Sequence, residues 1–552
     1  MKRTLILAAL VVAAASMLAA EDFHSQQDTL VLSRSVYAGT ASSITVGETL
    51  PPSCVTTTIT LPLLSGGTTT VKVKCGSATF DGTFPAVFNN DASDGNFGIT
   101  SPIFLDYLTT DGYRLWSLPI PDDLIVTSFS SKSELSVNLA ADGRSITFMG
   151  YQGGPGYPTG PNLSDVSASN TPGLIDPTDP SVEQYYRAVA EVDAWGHIQI
   201  TDGNAYSGDN GRAVMKGSNG LYYMAGNDNS GGLKATQLTN APTGDFQIND
   251  TQDGLNLISS TGAELLYPGQ TPPVAPNINM IGDFDITQVG YTTPDKPGKD
   301  NNFRGLTIFD NTLYVTKGSG GNGINTVYQV GTAGVLPTGS QAELESMPIT
   351  ILPGFPTSLA AGTNQSGATT PIAYPFGIWF ADAKTLYVCD EGDGTFVPPP
   401  TPVPASFNVA DSSSATAGLQ KWSFSNGSWR LLYILQDGLN IGVPYVVPDD
   451  PNQLYTSLYP ATGGCRNLTG KVNRDGTVDI YAITSTVSAS GDNGADPNKL
   501  VKITDLLRSK TMPKPDHHSG IGHFETLRAA KFGEVLRGVA FAPQDHDQGE
   551  EH

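Results

Sequence analysis

The residues able to do chemistry fall into three small groups. Asp390-Glu391-Gly392-Asp393 puts three carboxylates within four residues, directly after the apolar run Leu386–Val388. Calcium takes several oxygen ligands from a loop in which glycine allows a sharp bend, so Asp390, Glu391 and Asp393 are the candidate Ca2+ ligands. No acidic stretch carries a complete EF-hand loop, and Asp and Asn are also ordinary turn residues. A second group, Asp516-His517-His518 with His523 and Glu525, holds three of the seven histidines. Imidazole and carboxylate suit a transition metal. The Gly and Pro flanks and the lack of a fixed spacing favour an exposed polar loop. In the third group, Arg304, Asp310 and Arg537 flank short apolar runs and are candidate binding groups if those runs surround a channel. Catalytic signatures are missing: there is no GxSxG elbow and no HExxH. Gly318-Ser-Gly-Gly-Asn-Gly323 fits a dinucleotide fingerprint in form only. Thr326-Val327-Tyr328 follows as a strand where a helix is required, so the glycines read as a turn. The balance leans away from an enzyme.

A repeated strand pair must position these groups. Phe303 to Tyr328 reads as three short strands: Leu306–Phe309, a turn at Asp310-Asn311, Leu313–Thr316, a glycine-rich turn, then Thr326–Tyr328. Copies of the first pair occur at Ser133–Gly150, Gly211–Gly226, Asp253–Tyr267, Pro375–Val388 and Gly442–Ser457. Asp142-Gly143 and Asn219-Gly220 supply type I′ turns, which need positive φ at both central residues. Outer hairpins are expected at Ala188–Ile200, Leu419–Leu435 and Leu468–Ile483. An inner pair plus an outer pair makes a four-stranded meander, the unit of a propeller blade.

The last copy is incomplete. Leu536–Pro543 matches the first strand, with Arg537-Gly538 in place of Arg304-Gly305, and a polar tail follows. The missing second strand is expected at Asp28–Ser33, which reads like Asn311–Thr316. Pairing the two closes a ring and removes the open edge. Ile103–Leu118 then forms the outer hairpin of the shared blade. First strands near Leu135, Arg212, Leu255, Gly305, Gly377, Gly442 and Gly538 give an all-β, seven-bladed β-propeller. Insertions are expected near 48–100, 152–182, 336–370, 396–417 and 484–534. Asn498–Ser509 carries the one helical spacing of apolar residues.

LYVTKGSG (Leu313–Gly320) resembles the strands of YVTN-type surface-protein propellers, and LYVCDEGDG (Leu386–Gly394) resembles those of NHL-type propellers. The resemblance covers a few residues per blade. It implies a secreted seven-bladed propeller and carries over no catalytic residue.

Composition agrees with many turns and a large core. The 552 residues include 61 Gly and 39 Pro, only 15% are charged, and 9% are aromatic. Lys2-Arg3, the apolar run Leu5–Ala15 and the small residues before Glu21 read as a secretory signal over residues 1–20. A single propeller domain over 21–543 and a polar tail over 544–552 follow. Losing the signal takes the net charge from −23 to −25, which argues against nucleic acid and anionic membranes. An oxidising compartment suits disulfides: Cys54 with Cys75, which leaves Cys389 to Cys465. Five N-x-S/T sequons stand at Asn162, Asn249, Asn364, Asn426 and Asn467. The expected function is a secreted, monomeric binding or scaffold propeller that recognises a ligand, glycan or protein through its blade-connecting loops. The alternatives are a Ca2+-dependent hydrolase or lactonase, with a channel ion held by the acidic group around Asp390, and a surface-layer or matrix component.

Overall fold

The computed structural model describes residues 28–36, 100–129, 134–153, 185–203, 209–227, 302–318, 323–358, 374–392, 416–450, 460–486 and 496–544, with short segments between them. The architecture is an all-β propeller. Five four-stranded antiparallel blades stand around one axis, and a longer sheet fills the remaining sector. From the innermost strand outward, blade I is Glu534–Phe541, Thr29–Val36, Ile103–Thr109 and Arg114–Pro119. Blade II is Gly211–Lys216, Leu221–Gly226, Leu255–Ser259 and Met280–Asp283. Blade III is Phe303–Phe309, Thr312–Lys317, Thr326–Val330 and Ile349–Ile351. Blade IV is Pro375–Asp382, Thr385–Asp390, Gly418–Ser425 and Ser428–Leu435, and blade V is Gly464–Val472, Thr477–Ser485, Lys499–Leu506 and Glu525–Ala529. The longer sheet is built on Ser145–Gln152, Arg187–Asp193 and Ile198–Gly203. Its inner edge is shared by the short strands Ile125–Ser128 and Asn138–Leu139.

Ring closure is as the sequence predicts. Thr29–Val36 lies antiparallel between Glu534–Phe541 and Ile103–Thr109, with Leu32 opposite Val539. Contacts run from unit to unit around the circle. Arg212 Nη1 donates to the Phe303 carbonyl at 2.7 Å, and Ser485 Oγ donates to the Glu391 carbonyl at 2.9 Å. Asn467 Nδ2 donates to the Arg537 carbonyl at 2.6 Å. The inner strands come so close that a Cβ on Gly305 would stand 2.4 Å from the Phe376 carbonyl oxygen, and one on Gly538 2.3 Å from the Val137 nitrogen. Glycine follows Arg304 and Arg537 because no side chain fits there.

The core is spread between blades. Phe380, Leu386, Trp422 and Trp429 pack with Val327 between blades III and IV. Tyr387, Leu419, Ile480 and Ile503 pack between blades IV and V. Each strand buries alternate residues on alternate neighbours, so nearly every strand needs apolar residues on both faces.

Several expectations are corrected. Among the described residues five four-stranded blades and the longer sheet are seen where seven blades are expected, and two of the proposed first strands are something else. Leu255–Ser259 is the third strand of blade II, and Glu264–Leu266 joins the longer sheet. Around Gly442 the described chain makes only isolated bridges, such as Ile441 with Thr462, and the inner strand is Gly464–Val472. Leu468–Ile483 therefore spans an inner pair. Residues 484–534 contain both outer strands of blade V. Within Asn498–Ser509 the chain forms the strand Lys499–Leu506, paired on both sides, which buries Leu500 on one face and Val501, Ile503 and Asp505 on the other. Among the described residues the one helix is Gln341–Glu345, inside the 336–370 stretch.

Candidate functional site

One face of the ring gathers a layer of buried charge. Inner strands begin there and second strands end there, since Phe303 pairs with Lys317, Pro375 with Asp390 and Gly464 with Ser485. The connections from second to third strands also leave from this face. The Asp-Gly and Asp-Asn hairpin turns occupy the other.

Four units carry arginine near the start of the inner strand: Arg212, Arg304, Arg466 and Arg537. They are the four largest fully buried side chains of the described chain. The local cause is the strand pair itself. An arginine beside a residue that lets the neighbouring backbone approach is carried into the gap between two units. Arg537 donates from Nε to Ser35 Oγ at 3.0 Å, and from its Nη atoms to the Phe129 and Ser131 carbonyls. Arg212 reaches Asn302 and the Phe303 carbonyl. Arg466 Nε stands 3.4 Å from Glu391 Oε2.

Carboxyl groups share this layer. Glu134 accepts from Thr127 Oγ1 at 2.9 Å, from the Ser128 amide at 3.0 Å and from the Tyr151 hydroxyl. Burial nevertheless pushes Glu134 above the usual carboxyl range, against those hydrogen bonds and Arg537. Asp390 accepts from the Tyr374 amide at 2.8 Å, the Gly392 amide at 2.9 Å and Gln420 Nε2 at 2.9 Å. Burial raises its pKa to about 7 despite the two amides, with Glu391 pushing the same way. Asp496, at the entry to the third strand of blade V, is raised to about 8 by burial, opposed by Arg466 and Thr486. Charge burial on this scale needs pairing, which the alternation of guanidinium and carboxyl provides.

On this face two buried groups keep hydrogen-bonding capacity that no described residue uses. Neither Oδ1 nor Nδ2 of Asn325, 4% exposed, meets a partner among the described residues, and neither does Asp496 Oδ1.

The structure brings Arg304 and Arg537 into equivalent places and separates Asp310 from them. Asp310 sits exposed in the turn at the far end of the same strand, at φ 48°. Asp390 and Glu391 both lie buried in the charged layer, while Asp393, Cys54 and Cys75 lie outside the described residues. The donors on Asp390 and the guanidinium beside Glu391 fit a hydrogen-bonded carboxyl pair. Calcium would compete there with amide protons and a cation. Cys389 and Cys465 form a disulfide that ties blade IV to blade V, with Cα atoms 5.1 Å apart. Asn467, read as a sequon, is buried with its amide engaged on Arg537 and Ser136.

Sequence reasoning missed Arg466, Glu134 and Asn325, and reads Asp496 only as part of an acidic turn. Arg212 was singled out only as the start of a strand. Arg466-Asn467 stands where other blades have Arg-Gly, and the Asn hides the match. Glu134, Asp496 and Asn325 belong to connections with no periodicity to mark them.

No family model matches the chain. No curated protein matches it either. Among solved structures, a point mutant of the Synechocystis apocarotenoid oxygenase aligns over 90% of this chain and 64% of its own, at 9% identity and a TM-score of 0.21. A chimera of ACO and RPE65 aligns over 89% of this chain and 65% of its own, also at 9% identity and a TM-score of 0.21. The alignment takes in less than two thirds of either protein.

Proposed function

We propose that this protein is a ligand-binding propeller whose site is the face where the inner strands begin, and that its ligand is a small carboxylate-bearing molecule. One observation carries the reading: four of the units place an arginine at the start of the inner strand, on one face and around one axis. These engaged guanidiniums place positive charge beneath one face, and that field draws a carboxylate toward it. The layer leans cationic, because Glu134, Asp390 and Asp496 are held toward their neutral forms by burial. Asn325 adds a donor and an acceptor with no partner among the described residues, beside Thr326, which pairs with Lys317. Leaving such a buried amide unmade costs roughly 1–3 kcal/mol, which a ligand's polar groups or water would recover. The connections that leave from this face supply the surface through which a glycan or protein partner would be distinguished. A secreted location accords with the Cys389–Cys465 disulfide, and no helix among the described residues is long and apolar enough to cross a membrane.

The test is a thermal-shift and equilibrium-dialysis panel of mono- and dicarboxylates, uronic-acid oligosaccharides and neutral sugars of matching size. The expected result is that carboxylated compounds alone raise the midpoint, and that Arg304→Gln lowers their affinity about tenfold or more, as loss of a charge-assisted hydrogen bond implies. Equal responses to the neutral sugars, or none to any carboxylate, would remove the proposal.

A further inference from the structure

At the rim between blades IV and V, three potential metal ligands from separate parts of the chain meet. Asp437 follows the outermost strand of blade IV, Ser428–Leu435. His517 and His523 belong to the connection between the last two strands of blade V. One ligand atom from each of Asp437, His517 and His523 can be chosen so that all lie within 4.8 Å of one another. His523 Nδ1 is 2.6 Å from Asp437 Oδ2, and the two imidazole rings have centroids 3.9 Å apart.

The groups are held in place by backbone. The Phe524 amide donates to the Asp437 carbonyl at 2.8 Å, which fixes one blade's loop against the other's. The Asp516 amide donates to the Ile521 carbonyl at 2.8 Å, and the Gly522 amide to the Thr504 carbonyl at 2.9 Å, so the histidine connection is folded onto blade V. Gly438 admits this approach: a Cβ there would lie 2.3 Å from the Phe524 carbonyl oxygen and 2.9 Å from His523 Cε1. Glycine at that position is what lets His523 reach Asp437.

We propose that Asp437, His517 and His523 bind a divalent transition metal ion, zinc by preference, and that the ion joins blades IV and V at their outer edge. Two imidazole nitrogens and one carboxylate oxygen form a borderline donor set that suits zinc, and water completes the shell. Bonds of about 2.0–2.1 Å in a tetrahedral shell set ligand atoms roughly 3.3 Å apart. The His523–Asp437 pair opens by roughly 0.7 Å to admit the ion, and the remaining separations fall within the spread already present. The proton between His523 and Asp437 gives way to the metal, with His523 neutral and protonated on its other nitrogen. None of its ligands belongs to the arginine layer, and the site does not depend on the function proposed there.

The experiment uses the full chain, stripped with EDTA, dialysed and kept oxidised so that cysteine thiols do not compete. Titration with Zn2+ alone is followed by calorimetry and by melting, and Co2+ is used for its visible spectrum. The wild type is expected to take one equivalent, to melt higher with metal, and to give a Co2+ spectrum without a thiolate charge-transfer band. Asp437→Asn and the exposed-site change His517→Gln are each expected to weaken Zn2+ about tenfold or more. Both should leave the metal-free melting midpoint close to wild type, which separates loss of a ligand from loss of fold. Absence of stoichiometric Zn2+ binding overturns the proposal. So does binding of equal strength in wild type and His517→Gln, which would place the metal on other histidines.

Discussion

The Ser33 hydroxyl donates to the Leu135 carbonyl, 2.7 Å away across the gap between blade I and the longer sheet. The same oxygen accepts the Gly538 amide at 2.8 Å. Thr316 repeats both contacts in blade III: it accepts from the Gly305 amide at 2.9 Å and donates to the Phe376 carbonyl of the next blade. A hydroxyl on the second strand thus ties its own inner strand to the neighbour's. In blade IV the equivalent position is Cys389, and the disulfide to Cys465 takes over the tie. Both hydroxyls are fully buried. Thr316→Val keeps the shape and leaves the Gly305 amide and the Phe376 carbonyl short of a partner, at a cost of about 1–3 kcal/mol. Urea unfolding followed by tryptophan fluorescence measures it, and Thr316→Ser should recover most of the loss. A valine variant as stable as wild type would mean the ties are ornamental.

Ring closure makes the two ends of the chain interdependent. Leu30, Leu32, Leu536 and Val539 are buried in one cluster with Ile483 and Leu500 of blade V. Deleting residues 535–552 exposes both the Thr29–Val36 edge and this cluster. Large-scale loss of the cooperative transition is expected by calorimetry. Adding the 535–552 peptide in trans should restore part of it, because the edge of Thr29–Val36 is then the one unpaired template in blade I. A truncated chain that melts like the full one contradicts the closed ring.

That closure was legible because Arg537-Gly538 and Asp28–Ser33 each keep half of the pattern that Phe303–Thr316 shows whole. Blade number was less legible. Leu255–Ser259 reads in the sequence like any other short apolar run, and its rank within the blade is set by pairing with Leu221–Gly226 and Met280–Asp283, which is invisible locally. Asn498–Ser509 imitates a helix because Leu500 and Val501 are both buried, on opposite sides of one sheet. At the charged face, Arg304 and Arg537 could be found by the glycine beside them. Arg466 could not, because Asn467 replaces that glycine and uses its side chain to bind the Arg537 carbonyl. Asp437 was invisible as a partner of His523, since 86 residues separate them and only the packing of blade IV on blade V joins them.

The buried carboxyls give stability a distinctive pH dependence. Burial holds Asp390 at about 7 and Asp496 at about 8 in the folded protein, against roughly 4 when unfolded. Between those values the folded state binds more protons than the unfolded state, so stability falls as pH rises from about 4 to 8. Asp106 works in the opposite sense. Burial alone would raise it, but Arg34, Ser117 and Arg528 outweigh burial and lower it. Its contribution is present above the ordinary carboxyl range and is lost as pH falls below it. The melting midpoint should therefore be highest near pH 4–5 and decline toward pH 8. Asp390→Asn with Asp496→Asn should flatten that decline. A midpoint that climbs from pH 5 to 8 in the wild type would contradict the assignment.

The Cys389–Cys465 bridge closes a loop with a sequence separation of 76 and links two blades. Chain-entropy reasoning gives it a worth of about 4 kcal/mol. Cys389→Ala with Cys465→Ala should lose most of that, because both side chains are buried and alanine also leaves a small void. Chemical unfolding at equilibrium gives the number. The reduced wild type should fall close to the double variant, and a loss under about 1 kcal/mol would show that the hydroxyl-type ties elsewhere already fix the two blades.

Lys421 and Asp505 form a buried ion pair across the same blade boundary, with Nζ 2.9 Å from Oδ2 and almost no exposure on either side. Asp505 also accepts from the Tyr387 hydroxyl at 2.6 Å and the Tyr433 hydroxyl at 3.0 Å, and Lys421 donates to the Leu506 carbonyl at 2.6 Å. Burial lowers the Lys421 pKa, and Asp505 opposes that shift. Such a pair contributes little net stability against an apolar replacement, yet breaking it leaves a bare charge indoors. Lys421→Met alone should therefore cost about 3–5 kcal/mol, because Asp505 is then buried without its cation. Lys421→Met with Asp505→Leu should cost less than either single change, although the two tyrosine hydroxyls then lose an acceptor. A double-mutant cycle in urea reads the coupling directly. Additive costs would mean that the lysine and Asp505 are not coupled and that the tyrosine hydroxyls alone satisfy the carboxylate.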